Sequence, residues 1–324
     1  MKRHYYIIKG IVLLVAMLLA ACSSSDSDDS PIATSQNEIH LTTNVTSMPS
    51  GTRTTTYDDA GLKTEGSFTC VAYEANTLTE YIAPTTVDWN STNSRWEFNR
   101  GASHYYWPIP SSNVDTWRSL DFFAYVPSAA NLATDAPYIT TGPTYNVTTT
   151  PSVSHTVTFS CDMRNTATKE FMFGMALGQN GGNVPPDAGV PLQFLHPFAR
   201  VRFKLSDASG TSVKINSITL GGDYYKTADY SYVGSTSEST WSNLGNEGAF
   251  GPCQLNTDYL VIPNNYGSQT LTVNATWDEW SAVTRDISTT VDFNWASPGY
   301  SYTYVLTLKK YVLIVNSEKY TEQW

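Results

Sequence analysis

Positive charge is scarce in this chain. Nineteen Lys and Arg stand against 29 Asp and Glu in 324 residues, a net charge of −10 at pH 7. Nucleic-acid partners need clustered cations against a phosphate backbone, so this balance argues against that class. Cysteine is scarcer still. Cys22, Cys70, Cys161 and Cys253 show no Cys-x-x-Cys spacing, and the five histidines are scattered at positions 4, 40, 104, 155 and 196. No metal site and no cofactor is expected from such a pattern. An oxidising envelope would permit a disulfide among Cys70, Cys161 and Cys253, but three thiols cannot all pair and spacing does not choose between them.

Catalytic signatures are missing too. There is no Gly-x-Ser-x-Gly elbow, no phosphate loop, no His-Glu-x-x-His and no dinucleotide glycine pattern. Asp278 and Glu279 lie between Trp277 and Trp280, but neighbours in a strand point to opposite faces and do not make a facing carboxylate pair. The expectation is a protein that is not an enzyme. Beyond the N-terminus no apolar run is long enough to span a bilayer, and no long segment carries the helical period.

What is present favours strands. The chain holds 21 Tyr and 9 Trp, with abundant Thr and Ser, a composition suited to pleated, half-buried surfaces. Residues 1–21 read as a secretory signal, with Lys2, Arg3, His4 and Lys9 ahead of the apolar run Ile11–Ala21. The segment Leu19-Ala-Ala-Cys22 resembles the bacterial lipobox, which implies cleavage before Cys22 and its diacylation by palmitate-type chains. Residues 22–37 begin with an acidic, serine-rich run with nothing to bury. They are expected to be a disordered tether and resemble the surface-export signal of Bacteroidetes lipoproteins.

Downstream, short strands alternate with turns. Glu38–Thr46, Ser67–Glu74, Leu120–Pro127, His155–Ser160, Val213–Leu220, Asp258–Pro263, Leu271–Trp277, Thr289–Phe293 and Tyr300–Leu308 are predicted strands, a pattern that indicates β-sandwiches. Turn residues accumulate between Gly174 and Pro191, placing a domain boundary at about residue 187, so the expected domains are 38–186 and 187–324. Arg53 falls in a turn-rich stretch after the first strand. In Leu192–Leu205 the apolar phase slips by one residue at Pro197, which predicts a bulge or bend. His196 beside that bend is expected to be structural. Arg200, Arg202 and Lys204 should form a solvated strand face. Near the C-terminus, Lys309-Lys310 runs into Tyr311-Val312-Leu313-Ile314-Val315 with no residue suited to a tight hairpin. Such an apolar strand pairs either within its own domain or with another chain.

Several stretches together resemble the fimbrillin family of Bacteroidales, the subunits of type V pili. They are Tyr105–Pro108, Leu120–Pro127, Phe194–Val201, Leu260–Pro263 and Gly299–Leu308, with a terminal Trp324. The resemblance implies an all-β fold of two tandem transthyretin-like β-sandwich domains. It implies a lipid-anchored precursor at the outer membrane, cut by an arginine-specific protease between Arg53 and Thr54. The first strand would leave with residues 22–53. A neighbour's C-terminal segment, Tyr311–Val315 through Trp324, would fill the groove and build a head-to-tail polymer with other pilus subunits. The expected location is the cell surface, in a fimbrium, with a host protein or glycan as an adhesion partner. Two alternatives stand beside this one. One is a pilus anchor or tip adhesin of the same family. The other is a surface lipoprotein that binds glycans on its aromatic side chains.

Overall fold

The computed structural model describes residues 38–45, 58–108, 117–149, 152–164, 169–185, 188–207, 213–278, 282–309 and 312–323. Glu38–Trp324 forms one compact unit, and the secondary structure is almost wholly β.

Seven strands close into a barrel. In chain order they are β1 (Leu41–Val45), β2 (Ser67–Glu74), β3 (Glu80–Asn90), β4 (Arg95–Phe98), β5 (Leu120–Val126), β8 (Met172–Gln179) and β9 (Val190–Leu195). Around the barrel they run β1-β4-β3-β2-β5-β8-β9. Strand β5 shows why the sequence builds this. Its run Leu-Asp-Phe-Phe-Ala-Tyr-Val is apolar on both faces, which marks a strand covered on two sides. Leu120, Phe122, Ala124 and Val126 fill the barrel, while Phe123 belongs to a second core outside it.

That outer core is roofed by a four-stranded sheet. Strands β6 (Ile139–Thr148) and β7 (Ser154–Asp162) come from the first half of the chain, and β12 (Thr227–Val233) and β13 (Glu238–Gly245) from the second. The order is β13-β12-β7-β6. Phe159 of β7 stacks on Tyr230 of β12, with ring centroids 4.8 Å apart. The β12–β13 hairpin thus reaches back onto the first half.

The remaining strands form two sheets. One has the order β15-β10-β18-β19: Asp258–Val261, Ala199–Asp207, Tyr300–Lys309 and Val312–Gln323. The other runs β14-β11-β16-β17: Gly248–Cys253, Val213–Tyr224, Asn265–Asp278 and Ala282–Asn294. Residues from both share one core, including Val201, Phe203, Tyr304 and Leu306 from the first and Ile218, Leu220, Leu271 and Val273 from the second. Alternating side chains from two sheets interleave here as a sandwich.

The bend at Pro197 divides these regions. Val190, Leu192 and Phe194 fill the barrel, and Ala199, Val201 and Phe203 fill the sandwich. The change of sheet therefore falls at His196–Phe198, after β9. The phase slip is the passage from one core to the other.

One expectation needs correcting here. Arg200 and Arg202 do not form a solvated face. Both are largely buried on Asp258, to which Arg202 donates through Nε and Nη2. Only Lys204 of that stripe is exposed. The antiparallel β10–β15 register places Asp258 opposite Arg202, and a buried cation needs such a partner. The three downstream cysteines are buried and free; burial pushes the Cys161 and Cys253 thiols up to about 12. Trp277 is buried in the sandwich core, whereas Glu279 and Trp280 lie outside the described residues.

Candidate functional site: the strand that closes the barrel

Strand β1 occupies the barrel's closing position. It pairs in parallel with β9 from Leu41↔Val190 to Val45↔Phe194, and antiparallel with β4 at Leu41↔Trp96. A period-two pattern running from Ile39 through β1 turns Ile39, Leu41 and Val45 into the barrel core, each no more than 2% exposed. The chain before β1 is tied down as well: Ile39 N donates to Tyr105 O at 2.7 Å, and Glu38 meets His104 Nδ1 at 2.5 Å. Val190 N donates to His40 O at 2.7 Å. Gly189 sits at φ +72, and a Cβ there would lie 3.1 Å from the backbone carbon of Leu41. Only glycine combines that conformation with so close an approach.

A polar latch holds the middle of β1. Trp96 Nε1 donates to Thr43 Oγ1 at 3.1 Å, and Thr43 Oγ1 donates to Asp59 Oδ1 at 2.8 Å. Asp59 opens the helix α1 (Asp59–Glu65), which Asp58 caps by accepting from Gly61 N at 2.6 Å. Lys63, one turn on, bonds Asp59 Oδ2 at 2.7 Å and lies 4.9 Å over the Trp89 ring. Latch and ladder thus bracket the link 46–57, which carries Arg53. A cavity of about 390 Å³ opens along this end of β1, lined in part by His40, Thr42, Trp89 and Arg95.

Cys22, Arg53, Thr54, Tyr311 and Trp324 lie outside the described residues, so the lipid and cleavage expectations are not part of this geometry. Val312–Val315 are described. They begin β19, the edge strand beside β18, with pairing from Lys309↔Val312 to Tyr300↔Gln323. Of the two readings of this strand, the single chain adopts pairing within its own sheet. Leu313 is buried in the sandwich core, while Val312 is 55% and Ile314 39% exposed. Strands β1 and β19 stand in different sheets.

His196 is structural, as expected: its Nδ1 lies 2.9 Å from Glu170 Oε1, both side chains buried. A second buried pair was missed. His155 Nε2 lies 2.7 Å from Asp121 Oδ2, and Asp121 also accepts from the backbone nitrogens of Asn76 and Gly178. The signal was present as a lone aspartate in the apolar run of β5, since a buried carboxylate requires partners. Among the described residues no group of three or more His, Cys, Asp and Glu could hold a metal ion.

The fold and this seam define an all-β protein whose barrel is completed by its own first strand. The chain belongs to the fimbrillin-like family, which matches residues 43–324. Among solved structures it is similar to a fimbrial protein from Bacteroides vulgatus, with a TM-score of 0.55 at 16% identity over 87% of this chain and 98% of that one. It is also similar to a fimbrial assembly protein from Parabacteroides distasonis, with a TM-score of 0.38 at 9% identity over 86% and 96% of the two chains. A third similarity is to the C-terminally truncated tip fimbrial protein Mfa3 from Porphyromonas gingivalis, with a TM-score of 0.35 at 10% identity over 78% and 92%. No curated protein sequence matches the chain.

Proposed function

We propose that the protein is a structural subunit of a surface pilus that polymerises by donor-strand exchange. The carrying observation is the place of β1, a short strand buried between β9 and β4 and followed by the link that contains Arg53. Cutting between Arg53 and Thr54 would free β1 from the rest of the chain. Its departure would expose the β9 and β4 edges above a core that includes Phe68, Trp96 and Phe194. An incoming strand satisfies such edges and fills the alternate pockets. The C-terminal segment Tyr311–Trp324 of a neighbour is the proposed donor, and β19 already occupies a sheet edge. Unlike surfaces joined head to tail build an open filament rather than a ring. Before processing, diacylated Cys22 would hold the precursor at the outer membrane. The tandem-sandwich organisation is part of this reading, with the crossing at His196–Phe198.

Treating the purified precursor with an arginine-specific protease should yield Thr54 as the new N-terminus and permit oligomers. Normal polymerisation of Arg53→Ala would refute the processing role. Polymerisation after truncation at Lys310 would refute the donor role. An acylated Cys22 on the mature surface protein would instead mark an anchor.

A further inference from the structure

A larger cavity lies far along the chain from the β1 seam. It encloses about 710 Å³ beside β14 and β15, consecutive strands on opposite sheets of the sandwich. That size is within the ordinary range for small-ligand sites. Three half-buried aromatic side chains, Tyr225, Phe250 and Tyr259, supply part of its wall. Behind them, Tyr224, Tyr266 and Trp295 are buried and packed together, Tyr224 stacking on Trp295 at 5.4 Å. Tyr224 carries a hydroxyl that is buried without a hydrogen-bond partner, an uncommon state for a native polar group.

The charges at this cavity differ from those of the molecule. Its cations are Arg164, Lys169 and Lys226. Arg164 is engaged by Asp162, and Lys169 by Glu65 and Asp135 at 2.8 and 3.0 Å. Among the described residues nothing pairs with the Lys226 ammonium. Asp258, the carboxylate in the described lining, is held by Arg200 and Arg202. A chain with net charge −10 therefore presents an uncompensated cation beside aromatic rings.

Neutral hydrophobic ligands do not use that cation, and on its β14 side the cavity gives an extended peptide no regular edge to join. Strand β14 contains Pro252, which has no N–H, and Gly251 at φ +119, and its ladder with β11 shifts register twice. A pyranose ring offers what the cavity can use: an apolar face for the aromatic rings and hydroxyls for the polar groups. A carboxylate on that ring would meet Lys226 in a charge-assisted hydrogen bond. We infer that this cavity binds a carboxylated saccharide, of the uronic or sialic acid class. The site stands apart from strand exchange, since among the described residues neither β1 nor β19 contributes to its lining.

The test is titration calorimetry and saturation-transfer NMR on the full mature chain. The probes are digalacturonic acid and N-acetylneuraminic acid, with galactobiose as the neutral control and a glutamate-rich peptide as competitor. The acidic sugars should bind and the neutral one should bind at least about tenfold more weakly, the size of one charge-assisted hydrogen bond. Lys226→Gln should remove that preference, and Tyr225→Ala should weaken both classes of sugar. Both positions are only partly buried, and circular dichroism with the thermal midpoint verifies that the variants fold. Both variants should polymerise normally, so a failure of strand exchange and a failure of this site are told apart. No saccharide binding, equal binding of the neutral sugar, an unchanged preference in Lys226→Gln, or displacement of the sugar by the peptide would each overturn the assignment.

Discussion

Strands β1 and β19 lie near opposite ends of the chain and are held in opposite ways. The first is five residues long and has a neighbour on each side; the second is twelve residues long and has a neighbour on one side. In β1 the apolar residues Leu41 and Val45 both face a core, as does Ile39 just ahead of the strand, and the polar Thr43 is latched. Among the described side chains of β19, Leu313 is buried in the core and Val315 packs against it, while Val312 and Ile314 face outward. Length therefore does not decide how firmly a strand is held. The number of ladders and the side that is buried do. Removing β1 leaves two edges and a gap in a packed core, whereas removing β19 leaves one edge and loses part of one wall. In the proposed exchange the first arrangement would supply the acceptor groove and the second the transferable strand.

The largest expected effect breaks the β1 side. Leu41→Asp would put an unpaired carboxylate into the barrel core and should destabilise the precursor by more than about 4 kcal/mol. Urea denaturation of purified precursor measures it, and a loss under 1 kcal/mol would mean that β1 is not the closing strand. Thr43→Val keeps the shape of the side chain but removes its hydroxyl, leaving Trp96 Nε1 and Asp59 without their shared partner. A loss of about 1–3 kcal/mol is expected. The same variant should speed release of residues 22–53 after cleavage, read as the dissociation rate of the cut fragment. An unchanged rate would show that the latch is not what holds the strand.

A third prediction concerns pH and the β4 flank of the seam. Hydrogen bonds from Asn90, Asn93 and Arg95 hold the Glu97 carboxyl at about 2, well below its ordinary range. A lowered folded-state value means that this group stabilises the fold above its unfolded pKa, near 4.5, and loses that contribution as pH falls toward 2. Wild type should therefore lose stability across that window more steeply than Glu97→Gln. Parallel curves for the two proteins would remove Glu97 from the account.

Much of the fold was legible because apolar alternation is local. Ser67–Glu74 and the core of β5 follow directly from it, and the phase slip at Pro197 marks the crossing between cores. Strands that face water were not legible. In β13, Glu-Ser-Thr-Trp-Ser-Asn-Leu-Gly, almost every side chain is exposed or half-buried, so the strand exists through its ladder with β12 rather than through its own pattern. The pairing of β12 with β7 joins residues some seventy positions apart, and nothing local encodes it. Turn residues report where a chain bends, as in the stretch before 187, and not which core the next strand fills. The barrel seam was legible only as a first strand. Its latch depends on Thr43, Asp59 and Trp96 meeting in space, and polar residues that far apart carry no joint signature in a single sequence.

The smallest expected effect sharpens the other side of the comparison. Val312 and Ile314 are exposed, so replacing them with Thr and Ser should alter the stability of the single chain by less than about 0.5 kcal/mol each. Leu313→Ala, on the inward face of the same strand, should cost more, since it removes buried side-chain volume from the sandwich core. Exchange changes that ranking. In its own sheet β19 turns Leu313 to the core and Val312 and Ile314 outward, whereas a strand entering an acceptor barrel in a register shifted by one residue would turn the outward pair inward. If β19 is the donor, the outward pair should matter far more to filament yield than to monomer stability. The check is one double variant, Val312→Thr with Ile314→Ser, measured both for its thermal midpoint and for the fraction polymerised after Arg53 cleavage. An unchanged midpoint with reduced polymer supports the donor role. An unchanged midpoint with full polymer would leave β19 as an edge strand of its own sheet and nothing more.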